Sequence, residues 1–98
     1  MDIPTELKGK AISLENLHLS EVAWIKTDAL KLVDHLQAKG SFMLGGDVLK
    51  KEADGYRHNY DNWYFNREDG DAHQSAKHTR NYINDYREGE YAFVFVVA

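Results

Sequence analysis

The chain predicts a two-layer α+β domain: a small, mostly antiparallel sheet with two helices, in the order α-β-β-α-β. Three observations predict it. Apolar residues recur at helical spacing over 20–39 and, more thinly, from Ala72 to Tyr86. Two apolar and aromatic segments flank an Asp54-Gly55 turn signal. The chain closes on Tyr91 to Val97, where every residue is apolar. Each helix needs a partner for its apolar stripe, and packing both on a sheet satisfies all of them.

Residues Met1 to Leu19 show no period and read as a loop with a short helical turn. Ile12, Leu14, Leu17 and Leu19 are its packing residues. The first helix is expected over Ser20 to Lys39, with Val22, Ile25, Ala29, Leu32, Val33 and Leu36 on one stripe. Ser20 suits the N-cap, because its hydroxyl can accept from an unpaired N–H of the first turn. Leu19 and Trp24 then have the spacing of a hydrophobic staple. Gly40 follows the last turn, where a left-handed residue closes a helix.

Ser41 to Lys51 and Tyr56 to Asn66 read as paired strands. With Asp54 and Gly55 as the two loop residues, Glu52 faces Arg57 and Leu49 faces Tyr60. The same register sets Asp47 opposite Asn62, Gly46 opposite Trp63 and Leu44 opposite Phe65. Side chains alternate between faces. Phe42, Leu44, Val48, Trp63 and Phe65 are assigned to the core face. Asp47, Leu49, Tyr56, Tyr60, Asn62 and Tyr64 share the other. Gly45-Gly46 marks a bulge or a close backbone approach.

Asp71 and Gln74 have capping-box spacing and open the second helix. Ala72, Ala76, Thr79, Ile83 and Tyr86 form its stripe, with Arg87 near the end and Gly89 as the stop. A final strand apolar on both faces belongs in the sheet interior.

The 98 residues make a single domain, 1–98, without repeats or linkers. There is no cysteine, which excludes disulfides and thiolate metal sites. The first residues lack a basic and apolar leader, and no apolar run approaches membrane-spanning length. The expected location is the cytoplasm. A net charge of −4 without a basic stripe disfavours nucleic acid and suits a basic protein partner.

Chemistry is sparse. His73 and His78 stand five apart, about 140° around a helix, and none of the five histidines forms an i, i+4 metal pair. No serine sits in a nucleophile elbow. Asp47, Asp61, Glu68, Asp69 and Asp71 admit two readings. One is a solvated hairpin end and helix cap. The other is a metal-dependent nuclease or phosphodiesterase using Asp47, Asp61 and Asp69 with Lys50 or Lys51. Tyr56, Tyr60, Trp63 and Tyr64 likewise read as packing or as a protein-binding patch, since Tyr and Trp supply large contact area.

The segments Leu19-Ser20-Glu21-Val22-Ala23-Trp24, Leu44-Gly45-Gly46-Asp47-Val48, Asn62-Trp63-Tyr64 and Tyr82-Ile83 resemble the immunity protein 40 family. The likeness runs from Leu17 to Val97. It implies a non-enzymatic, cofactor-free bacterial inhibitor of a cognate polymorphic toxin. The toxin-contacting residues expected from this chain's own pattern are Asp47, Tyr56, Tyr60, Asn62, Tyr64, Glu68 and Asp69. A regulatory subunit of a cytosolic complex is the remaining alternative.

Overall fold

The computed structural model describes residues 3–15 and 21–98. A 3-10 turn at Thr5–Leu7 precedes strands β1 (Ile12–Ser13) and β2 (Val22–Ile25) and helix α1 (Lys26–Ala38). The hairpin β3 (Met43–Glu52) and β4 (Gly55–Tyr64) follows. A 3-10 turn at Arg67–Asp69, helix α2 (Ala72–Asp85) and strand β5 (Tyr91–Val97) complete the order. The described strands form one antiparallel sheet in the order β1-β2-β5-β3-β4. The fold class is the expected α+β, with two strands added before the first helix.

β5 is interior, between β2 and β3. Its alternation explains that place. Phe93 and Phe95 enter the core beneath the helices, while Ala92 and Val94 enter a second cluster on the other face. The main core joins Ala29, Leu32, Val33 and Leu36 of α1 and Ala76 and Ile83 of α2 to Trp24, Val48 and Trp63 of the sheet. Burying that apolar area supplies most of the folding drive.

The first helix starts later than expected, at Lys26 rather than Ser20. Val22 and Ile25 fit a helical stripe, but they also fit a strand. Pairing decides between the two: Trp24 lies opposite Phe93 and Ile25 opposite Ala92. Strand geometry sends Trp24 into the main core and Ala23 into the second cluster. The expected Ser20 cap and the Leu19 half of the staple lie outside the described residues. The helix that forms has Ile25 at its N-cap, without a side-chain cap. Its other end is as expected. Gly40 has φ 72°, its N–H reaches the Gln37 carbonyl at 3.0 Å, and Ser41 N–H reaches Leu36 at 3.0 Å. That pair of bonds is a Schellman closure.

At the start of α2 the capping box forms in both directions. Gln74 N donates to Asp71 Oδ1 at 2.9 Å, and Asp71 N donates to Gln74 Oε1 at 2.9 Å. Ser75 joins the buried stripe and ties α2 to β3: its hydroxyl accepts from Met43 N at 3.1 Å and donates to the Ala72 carbonyl at 2.7 Å. The helix ends before Arg87 and Gly89, at a Tyr86 cap in extended conformation.

The hairpin register is right at one end and wrong at the other. Asp47 faces Asn62 and Gly46 faces Trp63, as expected. Nearer the turn, Glu52 faces Gly55, Lys50 faces Arg57 and Leu49 faces His58, so the loop residues are Ala53 and Asp54. Neither takes positive φ; Gly55 does, at 128°. The register shift lies between Val48 and Leu49, opposite Asn59 and Tyr60. A second irregularity falls between Met43 and Gly45 on the β5 side, where the glycine pair suggests a bulge.

Leu49 lies on the face expected of it, but its burial differs from that of its neighbours there. Leu49 points away from the helices, yet it is fully buried, under Leu14, Ala23, Ala92 and Val94. The N-terminal segment covers that end of the sheet. The end carrying Asp47, Asn62, Tyr64 and Val96 stays open, with all four exposed.

Candidate functional site

The open end of the sheet is built on an aromatic floor. Trp63 points inward and stacks on Tyr82 with ring centroids 5.1 Å apart. Phe93 and Phe95 meet its ring edge-on at 6.3 and 5.8 Å. Its indole N–H donates to Thr79 Oγ1 at 3.1 Å, so the buried polar atom is satisfied. A side chain at Gly46 would overlap the Val94 carbonyl and approach Trp63 Cη2 to 2.5 Å. Gly45 has φ 146° and lies against the Trp63 carbonyl. Both glycines of the motif therefore serve packing.

Above this floor, strand alternation turns the neighbours of Trp63 outward. Asp47 and Asn62 face one another across β3 and β4, both exposed. Tyr64 is 70% exposed and Val96 47%, with Gly45 between them as register partner of each. These residues line a shallow concavity of about 250 Å³.

Tyr60 stands apart. It lies in the β4 irregularity, is 93% exposed, and has φ 57°. An aromatic residue in the left-handed region costs about 1–2 kcal/mol relative to extended backbone. Such an outlier persists only where the surroundings hold it, and outliers cluster at ligand clamps and switches.

Tyr86 does the holding. Its hydroxyl donates to Asp61 Oδ2 at 2.6 Å and accepts from Asn59 Nδ2 at 2.7 Å, gripping both neighbours of Tyr60. The Arg87 guanidinium lies 5.0 Å above the Tyr86 ring, and its Nε donates to Tyr91 Oη at 3.0 Å. Burial, then the hydrogen bond to Asp61 and the charge of that carboxylate, push the Tyr86 phenol up to about 12. Sequence reasoning placed Tyr86 only on a helix stripe and missed this role. A signal was present: Arg57 to Asn62 holds no aliphatic residue and two asparagines, a composition that favours broken pairing.

The expected site residues divide into groups. Asp47, Asn62 and Tyr64 share the open face, and Tyr60 projects from the bulge beside them. Tyr56 lies on the turn side of the bulge, half-buried against the second cluster. Glu68 and Asp69 sit in the exposed turn after Tyr64, where the Asp69 carboxylate accepts from Asn66 N at 3.1 Å. Asp47, Asp61 and Asp69 are not assembled as a trio. Asp47 faces the open side, Asp61 is bound to Tyr86, and Asp69 closes its own turn. Among the described residues, no group of three or more His, Asp or Glu is arranged to hold a metal ion. A deeper concavity of about 360 Å³ lies at the opposite end, lined by Lys26, Lys51, Tyr56, Arg87 and Tyr91.

The family model described as Immunity protein 40 matches residues 13–97. No curated protein and no solved structure matches the chain. The matched span includes both glycines, Trp63, the bulge and all of the open face. The chain belongs to the immunity protein 40 family.

Proposed function

We propose that this immunity protein 40 family member binds and neutralises a cognate protein toxin, acting by contact and without chemistry of its own. The observation that carries the reading is Tyr60. A fully exposed aromatic side chain in a strained backbone has no packing role in the free molecule. A partner that buries it gives the strain a use. Asp47 and Asn62 line a concavity with Tyr60 and add polar edges, and Tyr64 and Val96 add apolar area farther along the sheet. Aromatic anchors ringed by polar groups are the usual makeup of an energetic hot spot.

Asp47, Tyr60, Asn62 and Tyr64 form the proposed centre of contact. Glu68 and Asp69 extend it along the chain, and Tyr56 belongs to the rim beyond the bulge. An acidic surface speeds encounter with a basic toxin. A stable complex needs roughly 800 Å² on each partner, and the proposed contact therefore includes the adjoining turn. The site of action is the cytoplasm, where the toxin would otherwise act. No helix among the described residues is long and apolar enough to cross a membrane.

The test is rescue. The C-terminal region of the protein encoded immediately upstream is expressed in a bacterial host with and without this chain. Growth arrest relieved by co-expression supports the reading. Arrest that persists despite a folded, abundant immunity protein contradicts it for that pair.

A further inference from the structure

β4 is the outer strand of the sheet, and its free edge carries the same residues as the proposed contact. The hydrogen-bond pattern shows which backbone groups that edge presents. Phe65 N donates to the Leu44 carbonyl at 2.8 Å, so Phe65 turns its polar groups toward β3. Direction alternates along an antiparallel strand. Trp63 and Asp61 therefore also face β3, while the N–H and C=O of Asn62 and Tyr64 point outward. Each of these two residues offers one donor and one acceptor. The bulge at Asn59 and Tyr60 ends this regular stretch on the turn side.

Among the described residues no further strand pairs with β4, and an outer edge of this kind is a template for another strand. We infer that an extended, basic segment of the toxin pairs with the outward N–H and C=O groups of Asn62 and Tyr64, adding a sixth strand to the sheet. The inference rests on the proposed function and assigns the geometry of that contact.

Charge favours this occupant. From Asp61 to Asp71 the chain carries Asp61, Glu68, Asp69 and Asp71 against the single cation Arg67. Four negative charges and one positive give this segment, which contains the edge, a net −3. A second copy of the chain would bring the same acidic end against itself, which costs free energy. A Lys- or Arg-bearing strand meets the opposite situation. Tyr60 would then mark the end of the added strand and cover its first residue. Outer-strand pairing also accounts for how a short edge binds firmly: main-chain bonds supply affinity, and Tyr64, Asn62 and Asp47 select side chains on the open face.

Amide exchange followed by NMR tests the inference, using the toxin domain whose growth arrest this protein relieves. In the free protein the Asn62 and Tyr64 amides should exchange quickly and those of Trp63 and Phe65 slowly. In the complex the Asn62 and Tyr64 amides should slow by roughly a hundredfold or more. A complex in which those two amides exchange as in the free protein overturns the inference and leaves the proposed function standing. Protection that appears in the protein alone and fades on dilution identifies a second copy instead, and also overturns it. Failure of the wild-type protein to bind the toxin removes both readings.

Substitution gives an independent readout. Proline is tolerated on an outer strand where the lost N–H faces solvent. Asn62→Pro should therefore stay folded yet bind at least about tenfold more weakly than Asn62→Ala, which keeps the N–H. Equal affinities for the two variants, both folded, would contradict strand addition.

Discussion

The Trp63 indole lies against the bare backbone of Gly46, its directly opposed partner across the hairpin. The ring takes the space where a side chain at residue 46 would stand. Two short motifs far apart in sequence are thus one packing unit. Gly46→Ala should destabilise the protein by about 3 kcal/mol, the upper range for overpacking a filled core. Urea unfolding measures it. A midpoint like that of the parent would show that both the ring and the Val94 carbonyl give way.

Trp63→Ala should cost about 3–5 kcal/mol, as expected for an aromatic residue removed from a core. Thr79→Val is the finer experiment. It keeps shape but strips the acceptor from the Trp63 indole, leaving a buried N–H without a partner. The expected loss is about 1–3 kcal/mol. Combined with Trp63→Phe, which has no N–H, the Thr79→Val cost should shrink. Simple additivity in that double-mutant cycle would mean that the bond contributes nothing.

Tyr60 should show opposed effects on stability and binding. Tyr60→Gly relieves the left-handed strain and should raise stability by about 1 kcal/mol. The same change removes the aromatic anchor and should weaken toxin binding. Calorimetric melting and a binding titration on one preparation give both numbers. A variant that loses stability would show that the Tyr60 side chain packs in the free protein.

Tyr86 should ionise late. Burial is the largest cause, followed by its hydrogen bond to Asp61 and then that residue's charge, and together they raise the phenol to about 12. The folded pKa stands above the ordinary 10.0, so the protonated phenol is the form the fold stabilises. Its contribution is whole below pH 10 and disappears as pH rises toward about 12. Burial and then the charge of Asp61 also raise the Tyr82 phenol, so tyrosinate absorbance should show late titration from both Tyr82 and Tyr86, which Asp61→Asn moves to lower pH. Burial remains in that variant, so the shift should be partial. No change in the late titration would separate both phenols from Asp61.

Much of this structure was legible in the sequence where local and tertiary preferences agreed. Asp71 and Gln74 formed their capping box, and Gly40 closed its helix, because those bonds span only a few residues. Tyr91 to Val97 read as an interior strand because both of its faces are apolar. Val22 to Ile25 misled because the same residues fit two periods, and pairing with Phe93 and Ala92, far along the chain, decided between them. The β4 irregularity was hidden for a related reason. A turn register displaced by two residues and a two-residue insertion cancel, so Asp47–Asn62 and Gly46–Trp63 came out correctly while Leu49 did not. The shared exposed face of Asp47, Asn62 and Tyr64 was legible from alternation alone, whereas Tyr60 owes its exposure to the irregularity that breaks it. The grip of Tyr86 on Asn59 and Asp61 was not, because no local rule links a helix end to a strand more than twenty residues earlier.

We propose the open end of the sheet, with Tyr60 and Tyr64 as anchors, as the toxin-binding surface. The most direct measurement is the affinity of the Tyr60→Ala/Tyr64→Ala double variant for the toxin it should neutralise, beside its melting midpoint. The expected result is a loss of roughly a hundredfold or more in affinity, as for two hot-spot residues, with the fold intact. A folded double variant that binds like the parent would contradict it and place the toxin on another surface.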